Sequence, residues 1–184
     1  MVGSARALAL GWAIAAMPAL AEESLVARVA CRAGAPNGAF ELRGHDGSLR
    51  GSGAFAQGSK TGTFIFWTAG GARSAVVPYD HDVPKGTVAL WYTASGREIA
   101  KKLEAPYDQG SVHGVVRTYY ADGRPRTECR YDHGSLVDAQ AWDYRGRALA
   151  EGQARVLAAR DLEANSKLLA GLESMIERNL PHCE

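Results

Sequence analysis

The sequence predicts a mainly β protein: one antiparallel sheet built from repeated β-hairpins, with a C-terminal amphipathic α-helix packed on it. Three observations carry this. First, an aromatic turn segment recurs as Phe55 to Gly62, Tyr79 to Gly86, Tyr107 to Gly114 and Tyr131 to Asp138, with starts 24, 28 and 24 residues apart. Fixed periods of this length are the mark of repeat architectures. Second, an aromatic residue, Trp67, Trp91 or Tyr119, lies five positions after each closing glycine, and a second turn rich in Gly and Asp follows it. Third, from about Ala148 the apolar spacing changes from two to near 3.6.

In chain order, residues 1–21 read as a secretory signal: Arg6, an apolar run from Ala7 to Leu20, and the small residues Ala19 and Ala21 before Glu22. Cleavage is expected after Ala21, which places the mature chain in the periplasm or outside the cell. Residues 22–36 form a lead-in strand, and 37–147 hold about five hairpin units. A representative unit reads strand Thr63 to Thr68, turn Ala69 to Gly71, strand Arg73 to Tyr79, and turn Asp80 to Lys85. β-branched and aromatic residues fill the strands, and Gly, Asp, Asn and Pro fill the breaks. Gly62, Gly86 and Gly114 recur at one phase and Gly123 at the second turn, which predicts a shared backbone conformation or close packing there. Phe64 and Phe66 point to one face and Ile65 and Trp67 to the other, so cover is expected on both sides.

The spacing Gly-x4-aromatic-aromatic-x2-Gly, as in Gly114 to Gly123 with Tyr119-Tyr120, followed by Tyr131-Asp-His-Gly134, resembles the MORN-type repeats of YwqK-family proteins. The resemblance covers about residues 37–147. It implies a hairpin array and a protein-binding role of the antitoxin or scaffold kind, and MORN-like repeats are also associated with lipid contact. The third unit departs from it by four extra residues, Thr68 replaces one aromatic, and the last unit lacks its opening glycine.

Residues 148–184 are expected to cap the array. Leu157, Leu162, Leu168, Leu169, Leu172, Met175, Ile176 and Leu180 fall on one stripe, with Arg155, Arg160, Glu163, Lys167, Glu173 and Glu177 on the wet side. A break near Asn165-Ser166, giving two helices, is the alternative. About ten strands spaced about 4.8 Å make a sheet about 48 Å across, and a helix of about 30 residues spans about 45 Å. A helix that doubles back therefore brings Cys183 to Cys31, predicting that bridge, while Cys129 reads as a small buried hydrophobe.

Net charge is +1 on 184 residues, which gives no electrostatic case for nucleic acid. His81 and His133 fill one slot of the repeat, and Gln109 fills it between them, so those histidines track a turn. Gly53 to Thr61 misses the phosphate-loop pattern and runs into a strand, and no serine elbow occurs. No catalytic residue, cofactor or metal is expected. What remains is a ladder of Trp67, Trp91, Tyr92, Tyr119, Tyr120, Trp142 and Tyr144, read first as ordinary buried repeat core and, where one side is exposed, as a candidate partner-binding aromatic strip bordered by Arg117, Arg124, Arg126 and Arg130. The leading expectation is a non-enzymatic envelope protein that binds a protein partner. A membrane-surface module is the alternative, and a hydrolytic enzyme comes third.

Overall fold

The structure, a computed structural model, describes residues 24–184; the expected signal segment lies outside them. Twelve strands form one antiparallel sheet: β1 (Leu25–Arg32), β2 (Ala35–Gly44), β3 (Leu49–Ala56), β4 (Ser59–Trp67), β5 (Arg73–Asp80), β6 (Val83–Pro84), β7 (Gly86–Ala94), β8 (Arg97–Asp108), β9 (Ser111–Val112), β10 (Gly114–Tyr119), β11 (Pro125–Asp132) and β12 (Ser135–Ala141). Each pairs with its sequence neighbour, and β6 and β9 are short lead-ins on β5 and β8 to β7 and β10. One helix, α1 (Glu151–Asn179), follows.

Two turn types alternate, and both are legible in local chemistry. At the aromatic segments the two turn residues have positive φ: Gln57-Gly58, His81-Asp82, Gln109-Gly110 and His133-Gly134. This pair matches the right-handed twist of the flanking strands. The second turns at Gly47, Gly71, Gly123 and Gly146 instead close with the glycine N–H donating to the carbonyl three residues back, at 2.9 Å each time. The glycine there is left-handed, as a three-residue hairpin loop requires. The repeat glycines Gly62, Gly86, Gly114 and Gly123 all have positive φ. At Gly86 and Gly114 a β-carbon would also come within 3.1 Å of the Pro78 and Pro106 rings, so conformation and packing both demand glycine.

Successive units are also stitched along the turn edge. The N–H of Gly58, Asp82, Gly110 and Gly134 donates to the carbonyl of Pro36, Lys60, Pro84 and Val112 respectively. Identical bonds at identical phases are what a stacked hairpin array requires of its backbone.

The sheet face carrying Phe64 and Phe66 holds the core. Phe64 is fully buried against Phe40, Phe55 and Tyr79 at ring-centroid separations of 5.3–5.9 Å. Gly53 makes room for it, since a β-carbon there would stand 2.6 Å from the Phe64 ring. Helix α1 lies on this face, with Ala154, Ala158 and Ile176 buried. At the β12 end the helix backbone lies closest to the sheet, and the buried alanines of both elements, Ala139 and Ala141 on β12 and Ala154 and Ala158 on α1, belong to the shared core. From there it runs back toward β1, where Cys183 is bonded to Cys31 with the Cα atoms 5.5 Å apart. Cys129 is buried with a free thiol.

The single helix expected is found, and the alternative break at Asn165-Ser166 does not occur, because Asn165 is buried against the sheet and packing holds the segment where propensity is weak. Two expectations need correction. Glu173, expected on the wet side, is partly buried: it accepts the Tyr79 hydroxyl hydrogen at 2.8 Å, with the Lys60 ammonium 3.9 Å away. Leu168, placed on the apolar stripe, is exposed.

Burial, with help from Glu173, raises the Tyr79 phenol above its usual range, and burial pushes Tyr131 up to about 12. Both raised values belong to the folded state, so the stability linked to the neutral phenols is complete below about pH 10, where unfolded tyrosine begins to ionise. It is lost as pH climbs from there toward 12. The melting temperature should therefore fall steeply above about pH 10, and less steeply in Tyr79→Phe; a profile flat to pH 11.5 would contradict this.

Candidate functional site

Alternation along each strand sends adjacent residues to opposite faces, and this divides the expected aromatic strip. Trp67, Trp91 and Tyr119 hold one repeat position on the face away from α1. Each stands across the ladder from the strand that follows: Trp67 faces Arg73, Trp91 faces Lys101 and Tyr119 faces Pro125. Tyr92 and Tyr120 turn toward the helix side. Tyr92 lines a small cavity with Asp161 and Asn165 of α1 and donates its hydroxyl to the Tyr119 carbonyl. Tyr120 donates to the Trp142 carbonyl at 2.9 Å and lies under the Arg126 guanidinium. Trp142 is half-buried where β12 ends, and Tyr144 is exposed beyond it, edge-on to Tyr120 with Arg124 stacked on its ring. These seven aromatics therefore do not make one strip.

Expected cover on both faces is corrected in the same way. Among the described residues a helix covers one face only, and the Ile65 and Trp67 side is open and half-buried. Its middle row runs in register as Glu41, Ser52, Ile65, Val76, Ala89, Glu104, Arg117 and Glu128. Apolar residues thus occupy the centre and charges of both signs the flanks. Arg117 pairs with Glu128 at 2.8 Å, which raises the guanidinium above its ordinary value. Lys101 bonds Glu104 and Tyr119 donates to it at 3.1 Å, and the Lys101 contact holds the carboxyl below the usual range.

One cluster stands out on this face. The Arg73 guanidinium lies 4.1 Å from the Trp91 ring centroid and donates two hydrogen bonds to Glu98, at 3.0 and 3.2 Å. Beside it a shallow depression of about 570 Å³ is lined by Ile65, Trp67, Arg73, Gly96, Arg97 and Glu98, with Gly71 and Ala72. The four extra residues of the third unit build its wall. They lengthen the β7–β8 hairpin, which ends in a tight turn with positive φ at Ser95 and Gly96. That tip rests on the Ala69-Gly71 turn so closely that a β-carbon on Gly70 would meet the Gly96 Cα at 2.6 Å.

A β-bulge recurs beside each of these positions: Arg50, Ser74, Lys102 and Arg126 are skipped in the pairing of their strands. Bulges re-aim side chains, and this explains the correction at Arg126. Expected to border the strip, Arg126 instead reaches α1, donating to Asp161 at 2.7 and 3.1 Å, a contact that raises its guanidinium above the ordinary value. Arg73, Glu98 and Glu104 were missed by sequence reasoning. Arg73 could have been found, since it begins the strand opposite Trp67; Glu98 could not, because its approach depends on the path of the lengthened hairpin.

No protein-family model matches the chain, and a search of curated proteins finds no significant match.

Proposed function

We propose that this chain is an exported, non-enzymatic binding protein whose open sheet face takes a protein partner in the cell envelope, in the manner of an immunity or scaffold protein. The observation that carries the reading is the Trp67–Arg73–Trp91 cluster at the rim of the depression. Tryptophan and arginine dominate interface hot spots, and an apolar centre flanked by charges of both signs has the anatomy of a protein interface. The balanced charge of the face argues against an anionic membrane surface, which attracts concentrated positive charge. The Cys31–Cys183 bond supports export, because such bonds persist in oxidising compartments, and no helix among the described residues is long and apolar enough to cross a membrane. The MORN-like spacing supports the same reading by resemblance.

The test compares the mature chain with Arg73→Ala/Trp91→Ala in quantitative capture from envelope extract, with liposome co-sedimentation run in parallel. Loss of a hot spot costs about 2 kcal/mol or more, about thirtyfold in affinity. A specific partner should be retained by the parent and lost by the variant, with thermal melting little changed. Equal capture by both, or sedimentation with vesicles that the variant does not alter, would remove this face from the function.

A further inference from the structure

We propose that His113, Asp132 and His133 form a binding site for one borderline divalent transition-metal ion of the zinc class. They lie on the turn edge of the sheet, far along the array from the Trp67–Arg73–Trp91 cluster, and the inference does not depend on the function assigned to that cluster.

Sequence spacing hides this site. Asp132 and His133 are adjacent in one tight turn and by themselves make a poor ligand set. The third group arrives from the preceding unit, because stacking places the residue before each repeat glycine beside the next turn. The His133 N–H points at the His113 Nδ1 at 3.4 Å, as the Gln57 N–H points at the Asn37 side-chain oxygen at 3.1 Å in the first unit. The two imidazole rings sit 4.5 Å apart between centroids. Both Nδ1 atoms converge on the same Asp132 oxygen, His133 at 2.7 Å and His113 at 3.3 Å, and one ligand atom from each residue lies within 4.8 Å of the others.

These are the separations a metal needs after small side-chain rotations. Zinc bonds nitrogen and oxygen at about 2.0–2.2 Å, so tetrahedral donors stand about 3.3 Å apart. All three side chains are exposed and free to make that adjustment. Two imidazoles with one carboxylate suit zinc and its neighbours better than calcium or magnesium, which take oxygen donors. Three protein ligands leave a fourth position facing solvent, open to water or to a donor from a partner.

Comparison of the units argues that the set is particular to this turn pair. The same three slots hold Asn37, Ala56 and Gln57 in the first pair, Thr61, Asp80 and His81 in the second, and Lys85, Asp108 and Gln109 in the third. Only the fourth brings two imidazoles to one carboxylate. The array also supplies replacements that its own backbone already accepts: glutamine for His133, as at Gln57 and Gln109, and asparagine for His113, as at Asn37.

Titration of the untagged mature chain with zinc ion, followed by calorimetry and by the imidazole resonances, tests the proposal. One ion should bind per chain, shifting the His113 and His133 signals together. His133→Gln and His113→Asn should each weaken binding at least about tenfold, while His81→Gln, in the same slot of another unit, should not. Unchanged melting of the metal-free variants separates ligand loss from misfolding. Zinc binding of equal strength in both variants, a response confined to other histidines, or no binding at millimolar zinc would overturn the assignment.

Discussion

Replacing Cys31 and Cys183 together by serine should lower the melting temperature by about 10–20 °C. The bond spans a sequence separation of 152 residues and closes nearly the whole described chain into one loop. Chain-entropy arithmetic for a loop of that size gives about 5 kcal/mol, and a domain of this length loses about 2–4 °C per kcal/mol. The bond also has a local task. It ties the segment after α1 to edge strand β1, whose far side has no strand partner among the described residues. Without it, β1 and the last turns of α1 should become the first part to open. The double variant is the correct comparison, because a single serine leaves an unpaired thiol; Cys129 is 2% exposed and is shielded from exchange. Thermal and denaturant unfolding of the two proteins measures the difference. A loss under about 1 kcal/mol would mean that the crosslink adds little to an array already held by its hairpins.

Asp161→Ala should cost about 3 kcal/mol, the next largest effect, although nothing in the sequence distinguishes this aspartate from its neighbours. Its carboxylate is 12% exposed and accepts three bonds: from the Thr118 hydroxyl at 2.9 Å and from the Arg126 guanidinium at 2.7 and 3.1 Å. Thr118 in turn bonds Thr127 at 2.7 Å, so one helix side chain ties β10 and β11 to α1. Removing one member of a buried pair costs about 3–5 kcal/mol because the other charge is stranded; Arg126, 26% exposed, recovers some hydration, which places the expectation at the low end. Glu163→Ala is the matched control. Its partner Lys167 is one turn away on the wet side of the same helix, and such exposed pairs add little because water and salt screen them. Equal losses from the two variants would show that Asp161 is no more than a surface charge.

These two expectations stand at opposite ends of what could be read from residues alone. The disulfide was legible because it follows from lengths: the width of a stacked array and the rise of a helix are each set by backbone geometry, and the two match. Asp161 was not legible, because its role depends on the bulge that turns Arg126 toward α1. A bulge is one extra residue in a pairing register, and Arg126 carries no composition signal that marks it. The aromatic positions were read from the repeat but wrongly grouped. Trp91-Tyr92 and Tyr119-Tyr120 read as continuous bands in sequence, whereas the pleat sends one ring of each pair to the open face and the other toward the helix side. Glu173 was misjudged for a similar reason: a helical wheel places it beside Glu177 on a polar arc, and only the Tyr79 hydroxyl and the Lys60 ammonium explain why this half-buried carboxylate leans toward the sheet.

By itself the sequence determined the hairpin period, the turn positions and the order of strands, because left-handed backbone and strand preference are energies of a few consecutive residues and need no distant partner. Tertiary structure alone decided which sheet face stays open, how the lengthened third hairpin walls the depression beside Trp67, and that His113 meets Asp132 and His133. Those outcomes depend on pairing register and on the path of one helix across the sheet, which are set by contacts between residues far apart in the chain.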